Sequence, residues 1–148
     1  MTWKPDVTVA AIVEHEGHYL LVEEETGLGR RFNQPAGHLE VHETLPDAVV
    51  RETLEETACH VKPLALIGVY HWYYPRKNIT YIRFTYSARL TGRDPGRRLD
   101  KGIVRTVWMT ADEIRASAAL HRSPLVVRSL DDYLAGVRLP PDLIAHIP

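Results

Sequence analysis

Residues 37–56 read G-H-L-E-V-H-E-T-L-P-D-A-V-V-R-E-T-L-E-E, and the placement of charge in this stretch decides how the chain is read. Gly37 is followed at fixed distances by Glu43, the pair Arg51 and Glu52, and the pair Glu55 and Glu56. Thr44 followed by Asp47 resembles a helix-capping arrangement, and Pro46 is tolerated in a first turn. A helix is therefore expected to start near Leu45 and to run towards Cys59. On such a helix Glu52, Glu55 and Glu56 stand at i, i+3 and i+4 and share one face. Like charges at this spacing destabilise a helix, and these lie beyond the first turn, where the dipole favours anions. Stability does not account for the acidic face; a divalent cation against it reverses the sign of the interaction. Val50, Leu54, Thr57 and Val61, at i, i+4, i+7 and i+11, are read as the opposite face, packed on a sheet while the glutamates line a cleft.

Carboxylate oxygens suit Mg²⁺ or Mn²⁺, and Mg²⁺ is usually held by a few carboxylates, water and the phosphate oxygens of a substrate. Chemistry on a diphosphate follows from that ligand set. The bland reading, a solvated acidic helix surface, fits an isolated run. Here the run is part of a longer pattern, with Gly37, Glu43, Arg51, Glu52, Glu55 and Glu56 all at fixed spacing, which makes a chance match remote.

Those residues fit the Nudix box, in which glycine, five residues, glutamate, seven residues and R-E are followed by a hydrophobic residue, any residue and E-E. The chain thus resembles the Nudix hydrolase superfamily. Departures fall at the edges: Thr53 stands where an aliphatic is usual, Ala58 replaces the terminal glycine and Cys59 replaces an aliphatic. Without glycine at the left-handed cap, the helix is expected either to run on towards His60 or to hold a strained end. The flanks K-P-D-V-T-V-A (4–10), N-Q-P-A-G-H-L-E (33–40) and R-S-P-L-V (122–126) are similar to the phosphatase NudJ branch, a resemblance running from about residue 4 to residue 144. It implies removal of terminal phosphate from nucleoside tri- and diphosphates and from hydroxymethylpyrimidine or thiamine diphosphate.

By position in the box, Glu55 and Glu56 are the expected metal ligands, with the Gly37 carbonyl a weaker third. Glu52 is either the general base or a further ligand, and a nearby cation would push its pKa down, so sequence does not separate the two roles. The resemblance implies that Arg51 pairs with Glu55 one turn on, and with Glu43 before the helix, to hold Glu55 in a ligating rotamer. An ordinary surface pair of this kind contributes only about 0.3–0.5 kcal/mol. For substrate, Arg83 offers a fork to phosphate oxygens. Trp72, Tyr73, Tyr74 and Tyr81 can stack a base or pyrimidine ring. His38, next to the box glycine, can touch phosphate. A further acid from a late loop is either Asp94 or Asp100. Cys59 is read as packing, since a thiol is a poor partner for Mg²⁺.

The chain has 148 residues, 45% of them hydrophobic, which fits one domain over residues 1–148 able to bury roughly two thirds of its unfolded surface. With 18 Lys and Arg against 19 Asp and Glu, no charge excess draws it to nucleic acid or to an anionic membrane. The single cysteine excludes an intrachain disulfide. No apolar run approaches the ~20 residues that span a bilayer, and the start lacks a secretory pattern, so a cytoplasmic protein is expected, its oligomeric state open.

Val7–Glu14 and His18–Glu25 read as a hairpin about Gly17. Pro35 and Gly37 force a turn. Lys62–Pro75 and Asn78–Leu90 read as two antiparallel strands, Thr91–Gly102 as a loop and Ile103–Met109 as a strand. A capped helix follows from Thr110 with Glu113. A last helix follows Pro124, its stripe Val126, Val127, Leu130 and Leu134. The expected class is α/β: an α/β/α sandwich around a mixed β-sheet, the Nudix fold. Competing functions are a Nudix pyrophosphohydrolase cleaving between α and β phosphates, a non-catalytic nucleotide-binding regulatory module, and a diphosphate isomerase.

Overall fold

In the computed structural model, which describes residues 2–148, the first hairpin joins β1 (Asp6–His15) to β2 (His18–Thr26). Glu16 and Gly17 have φ values of 52° and 77°, which makes the two-residue turn whose twist matches antiparallel strands. β3 (Gly29–Asn33) and β4 (Ala36–His38) flank Gln34 and Pro35. Then come α1 (Leu45–Thr57), β5 (Cys59–Tyr74), β6 (Ile79–Arg93), β7 (Ile103–Met109), α2 (Ala111–Ala116) and α3 (Leu125–Leu134). β6 extends into the segment expected to be loop, because Gly92 and Arg93 pair with His60 and Cys59 at the start of β5.

The strand order β3-β2-β1-β6-β5 is mixed: β1 and β6 are parallel, and the hairpin pairs are antiparallel. β4 adds to β1 at Thr8–Ala10, and β7 adds to β2. The pleat of β1 divides the core. Val9, Ala11 and Val13 pack with Ala48 and Val49 of α1, while Ile12 packs with Leu21, Val126 and Leu130 under α3. Helices therefore cover both faces of the sheet, as the strand and helix order predicts.

Two apolar stripes differ from expectation. The buried line of α1 is Ala48, Val49, Thr53 and Thr57, with Glu56 beside it, whereas Val50 and Leu54 are only partly buried. Apolarity alone placed Val50 and Leu54 inside; the tertiary fit instead turns the helix so that small Ala48 allows close approach and Glu56 points inward. In α3 the buried residues are Leu125, Val126, Ser129 and Leu130, and Leu134 is exposed at the last turn.

Ala58 ends α1 in the left-handed conformation, φ 60° and ψ 20°, its N–H donating to the Leu54 carbonyl at 2.9 Å. The helix stops rather than running on. At the N-terminus Thr44 Oγ1 accepts from Asp47 N at 3.2 Å. Thr53 is 1% exposed, and its hydroxyl has no hydrogen-bond partner. A buried hydroxyl without a partner costs stability that an isosteric methyl does not. Thr53→Val is expected to stabilise the protein by about 1 kcal/mol, read as a higher urea midpoint at unchanged m-value.

Candidate active site

Arg51 is the centre of the acidic face. Its Nε donates to Glu43 Oε2 at 2.6 Å and its Nη2 to Glu43 Oε1 at 3.0 Å, a two-pronged grip on the loop before α1. Nη1 donates to Glu52 Oε1 at 2.7 Å and to Glu55 Oε2 at 3.2 Å, and Nη2 also reaches the His38 carbonyl at 3.0 Å. One guanidinium thus ties the loop, the end of β4 and two of the helix glutamates together. Hydrogen bonding to Arg51 holds the Glu43 carboxyl below the usual glutamate range, and the same contact raises the pKa of Arg51. Burial pushes Glu52 up against the opposing pull of Arg51.

Gly37 owes its identity to Glu52. A Cβ at residue 37 would overlap the Glu52 carboxylate, so only glycine lets the strand and this side chain share the space. Glu56, 8% exposed, is turned inward, and its Oε1 accepts from Ala36 N at 2.9 Å. Burial is the main reason its pKa rises to about 9; Glu24 and Glu52 add to the rise and the Ala36 N–H opposes it.

Oxygens of Glu52, Glu55 and Asp100 lie within 4.8 Å of one another, all hard donors, which fits a divalent cation. Asp100 is held there by its backbone, whose N–H donates to the Glu55 carbonyl at 3.0 Å. The other candidate loop acid, Asp94, lies elsewhere: its carboxylate is 3.0 Å from His60 Nε2 at the start of β5. Glu56 is not a member of the three-carboxylate group, although it lines the adjoining cleft.

That cleft, about 710 Å³, brings Gly37, His38, Glu52, Trp72, Tyr81 and Arg83 to one place. Trp72 stacks on Tyr74 (centroids 5.1 Å apart) and on Tyr81 (5.7 Å), the three rings nearly parallel. Alternation along β5 sends Tyr73 to the other face, where it is exposed and bonds Asn78. The side chain of His38 is engaged by Asp6, Nε2 to Oδ2 at 3.0 Å. Arg83 is buried, and desolvation lowers its pKa to about 10. The cleft is also lined by Arg122, which opens the R-S-P-L-V stretch, and by Glu24 of β2, which no pattern in the sequence picked out. Glu24 sits in an alternating strand with acids on either side, which leaves no local signal for which one faces the cleft.

A NUDIX domain model matches residues 3–128. The chain belongs to the NUDIX family. It is 40% identical over 142 residues to the Escherichia coli (strain K12) protein named Phosphatase NudJ, covering 96% of this chain and 92% of that protein. The Shigella flexneri protein of that name matches equally. Among solved structures, a NUDIX hydrolase from Nitrosomonas europaea is 49% identical with a TM-score of 0.94, covering 97% of this chain and 98% of that one. A second NUDIX hydrolase from that organism is 25% identical, TM-score 0.74, covering 91% and 73%. The chain is a NUDIX hydrolase of the NudJ type, the α/β/α fold and the mixed sheet included. Among the described residues no helix is long and apolar enough to cross a membrane.

Gly37→Ala in this NUDIX hydrolase is expected to displace the Glu52 carboxylate. It should cost about 1–3 kcal/mol in urea unfolding, and lower turnover on any substrate the wild type accepts by about a hundredfold. For Glu43, the folded pKa lies below the unfolded value, so its stabilisation is complete above the ordinary value of 4.5 and is lost as pH falls through the lowered one. Glu43→Gln should therefore be less stable than wild type at neutral pH, with the gap closing below about pH 4, read from paired urea titrations.

Proposed function

We propose that residues 1–148 act as one Mg²⁺-dependent hydrolase domain that releases terminal phosphate from nucleoside tri- or diphosphates, or from hydroxymethylpyrimidine or thiamine diphosphate. The observation that carries this reading is the cleft, which brings together parallel aromatic rings, carboxylates and a buried arginine. Flat rings stack on Trp72 and Tyr81, Arg83 and His38 face the phosphates, and the acidic wall takes the reacting end. The name of the NudJ relatives, which calls them phosphatases, supports terminal release.

Glu52, Glu55 and Glu56, with the Gly37 carbonyl, would hold Mg²⁺, and Asp100 joins them as the loop acid. When bound, the ion neutralises charge on the phosphoanhydride oxygens and lowers the pKa of a bound water. Arg51 positions Glu55 and Glu52 by hydrogen bonds from one fork, which removes rotamer freedom that loose glutamates would have. Glu52, kept mostly from water beside Gly37, would take a proton from the attacking water if it is not itself a ligand. Hydrolysis then returns that proton to solvent and leaves orthophosphate with the substrate one phosphate shorter, a diphosphate from a triphosphate and a monophosphate from a diphosphate.

Incubation with nucleoside triphosphates, nucleoside diphosphates and pyrimidine diphosphates plus Mg²⁺ tests the proposal by its products. Orthophosphate is expected; pyrophosphate from triphosphates would instead assign cleavage between α and β phosphates, and binding without turnover would assign a regulatory module. Glu52→Gln and Glu55→Gln should each reduce turnover by about 10²–10⁴ while remaining folded, and undiminished turnover in either would remove its role. Mn²⁺ should substitute for Mg²⁺, and Zn²⁺ selectivity would contradict an all-oxygen site.

A further inference from the structure

Arg83 lies at the floor of the cleft without a counterion of its own. It is 8% exposed, Nη2 reaches only Asn33 Oδ1 at 3.4 Å, and Nη1 has no partner. The nearby acids are engaged elsewhere: Glu24 is the ion-pair partner of Arg122, and Glu56 accepts from the Ala36 backbone. A buried charge left in this state is costly, and a ligand oxyanion removes the cost.

Two segments that the sequence singled out meet around this side chain. Asn33 belongs to N-Q-P-A-G-H-L-E, and Gln34 Nε2 of the same segment donates to the Val126 carbonyl at 2.9 Å. Arg122 and Ser123 open R-S-P-L-V; Arg122 N donates to the Phe32 carbonyl at 2.8 Å, and Ser123 Oγ accepts from Leu125 N at 3.1 Å. These contacts bring the N-terminal end of α3, with its partial positive charge, to the cleft beside Arg83, where Ser123 and Leu125 line it. Along β6, Arg83 follows Tyr81 by two residues on the same face, and Tyr81 pairs with Trp72 across the hairpin. Arg83 therefore stands one step from the rings, on the way to the glutamates.

We propose that Arg83, oriented by Asn33 and flanked by Arg122 and Ser123 at the start of α3, forms a metal-independent phosphate subsite holding the phosphate that stays with the ring-bearing product. This rests on the reading of the cleft as a diphosphate site and adds to it a division of labour. The inner phosphate belongs to the arginine, and the outer one to the carboxylate wall. A monophosphate carrying a flat ring is then a ligand in its own right.

Calorimetric binding in EDTA with cytidine monophosphate, cytidine and orthophosphate tests the subsite. The wild type should bind the monophosphate at least about tenfold more tightly than cytidine. Arg83→Met, which fills similar space, should abolish that difference and leave cytidine binding unchanged. The ligand-free methionine variant should melt about 2–4 °C above wild type, and the monophosphate should raise the melting temperature of the wild type alone. Asn33→Ala, which removes only the Nη2 contact, carries the same comparison if the methionine variant fails to fold; weaker monophosphate binding with unchanged cytidine binding is expected. Equal affinity for monophosphate and cytidine in the wild type, no binding of either, or a difference that survives both substitutions overturns the proposal. Monophosphate binding in EDTA without metal-dependent turnover of any diphosphate would keep the subsite and remove the hydrolase reading; turnover without that binding would do the reverse.

Discussion

The fork of Arg51 is the interaction on which the site depends. Glu43, Glu52 and Glu55 come from a loop and from two turns of α1, and in isolation they would repel. One guanidinium with five donors can satisfy all three and still reach the His38 carbonyl, which lysine, a point charge without that geometry, cannot. The consequence is mechanical as well as electrostatic. β4, the loop and the helix are held in one register, and the Glu52 carboxylate is pressed against Gly37, where any side chain would displace it.

The rest of the cleft is built on incomplete electrostatics. Glu56 is buried beside other acids with one backbone donor, and Arg83 is buried beside acids that are already engaged. Both arrangements cost stability in the free protein, and a ligand charge of opposite sign at either would relieve that cost. The apolar layers under α1 and α3 must offset this, and they are divided cleanly by the pleat of β1. Rigid strands carry the aromatic rings and Arg83, while loop residues such as Asp100 are fixed by backbone hydrogen bonds to the helix they serve.

Local patterns carried most of the element assignments. The Thr44 cap, the Glu16-Gly17 turn and the reciprocal bonds of Thr110 and Glu113 depend on neighbours within a few residues, so they were legible. Helix orientation was less so: Val50 and Leu54 look like core by apolarity, yet the rotation of α1 is set by β4 and by where Glu56 can find a donor. The same limit applies to Leu134, whose apolar stripe outruns the sheet it was expected to cover.

The sequence by itself determined the family, the helix that carries the glutamates and the arginine beside them, because these are encoded at fixed spacing on one continuous segment. Only the tertiary structure decided which acids meet. Asp100 joins Glu52 and Glu55 while Asp94 turns to His60, Glu56 faces the Ala36 backbone, and Tyr73 leaves the ring stack that Trp72, Tyr74 and Tyr81 form. These choices depend on strand register and on contacts between residues far apart in the chain, and no local pattern records the distance between side chains that only folding brings together.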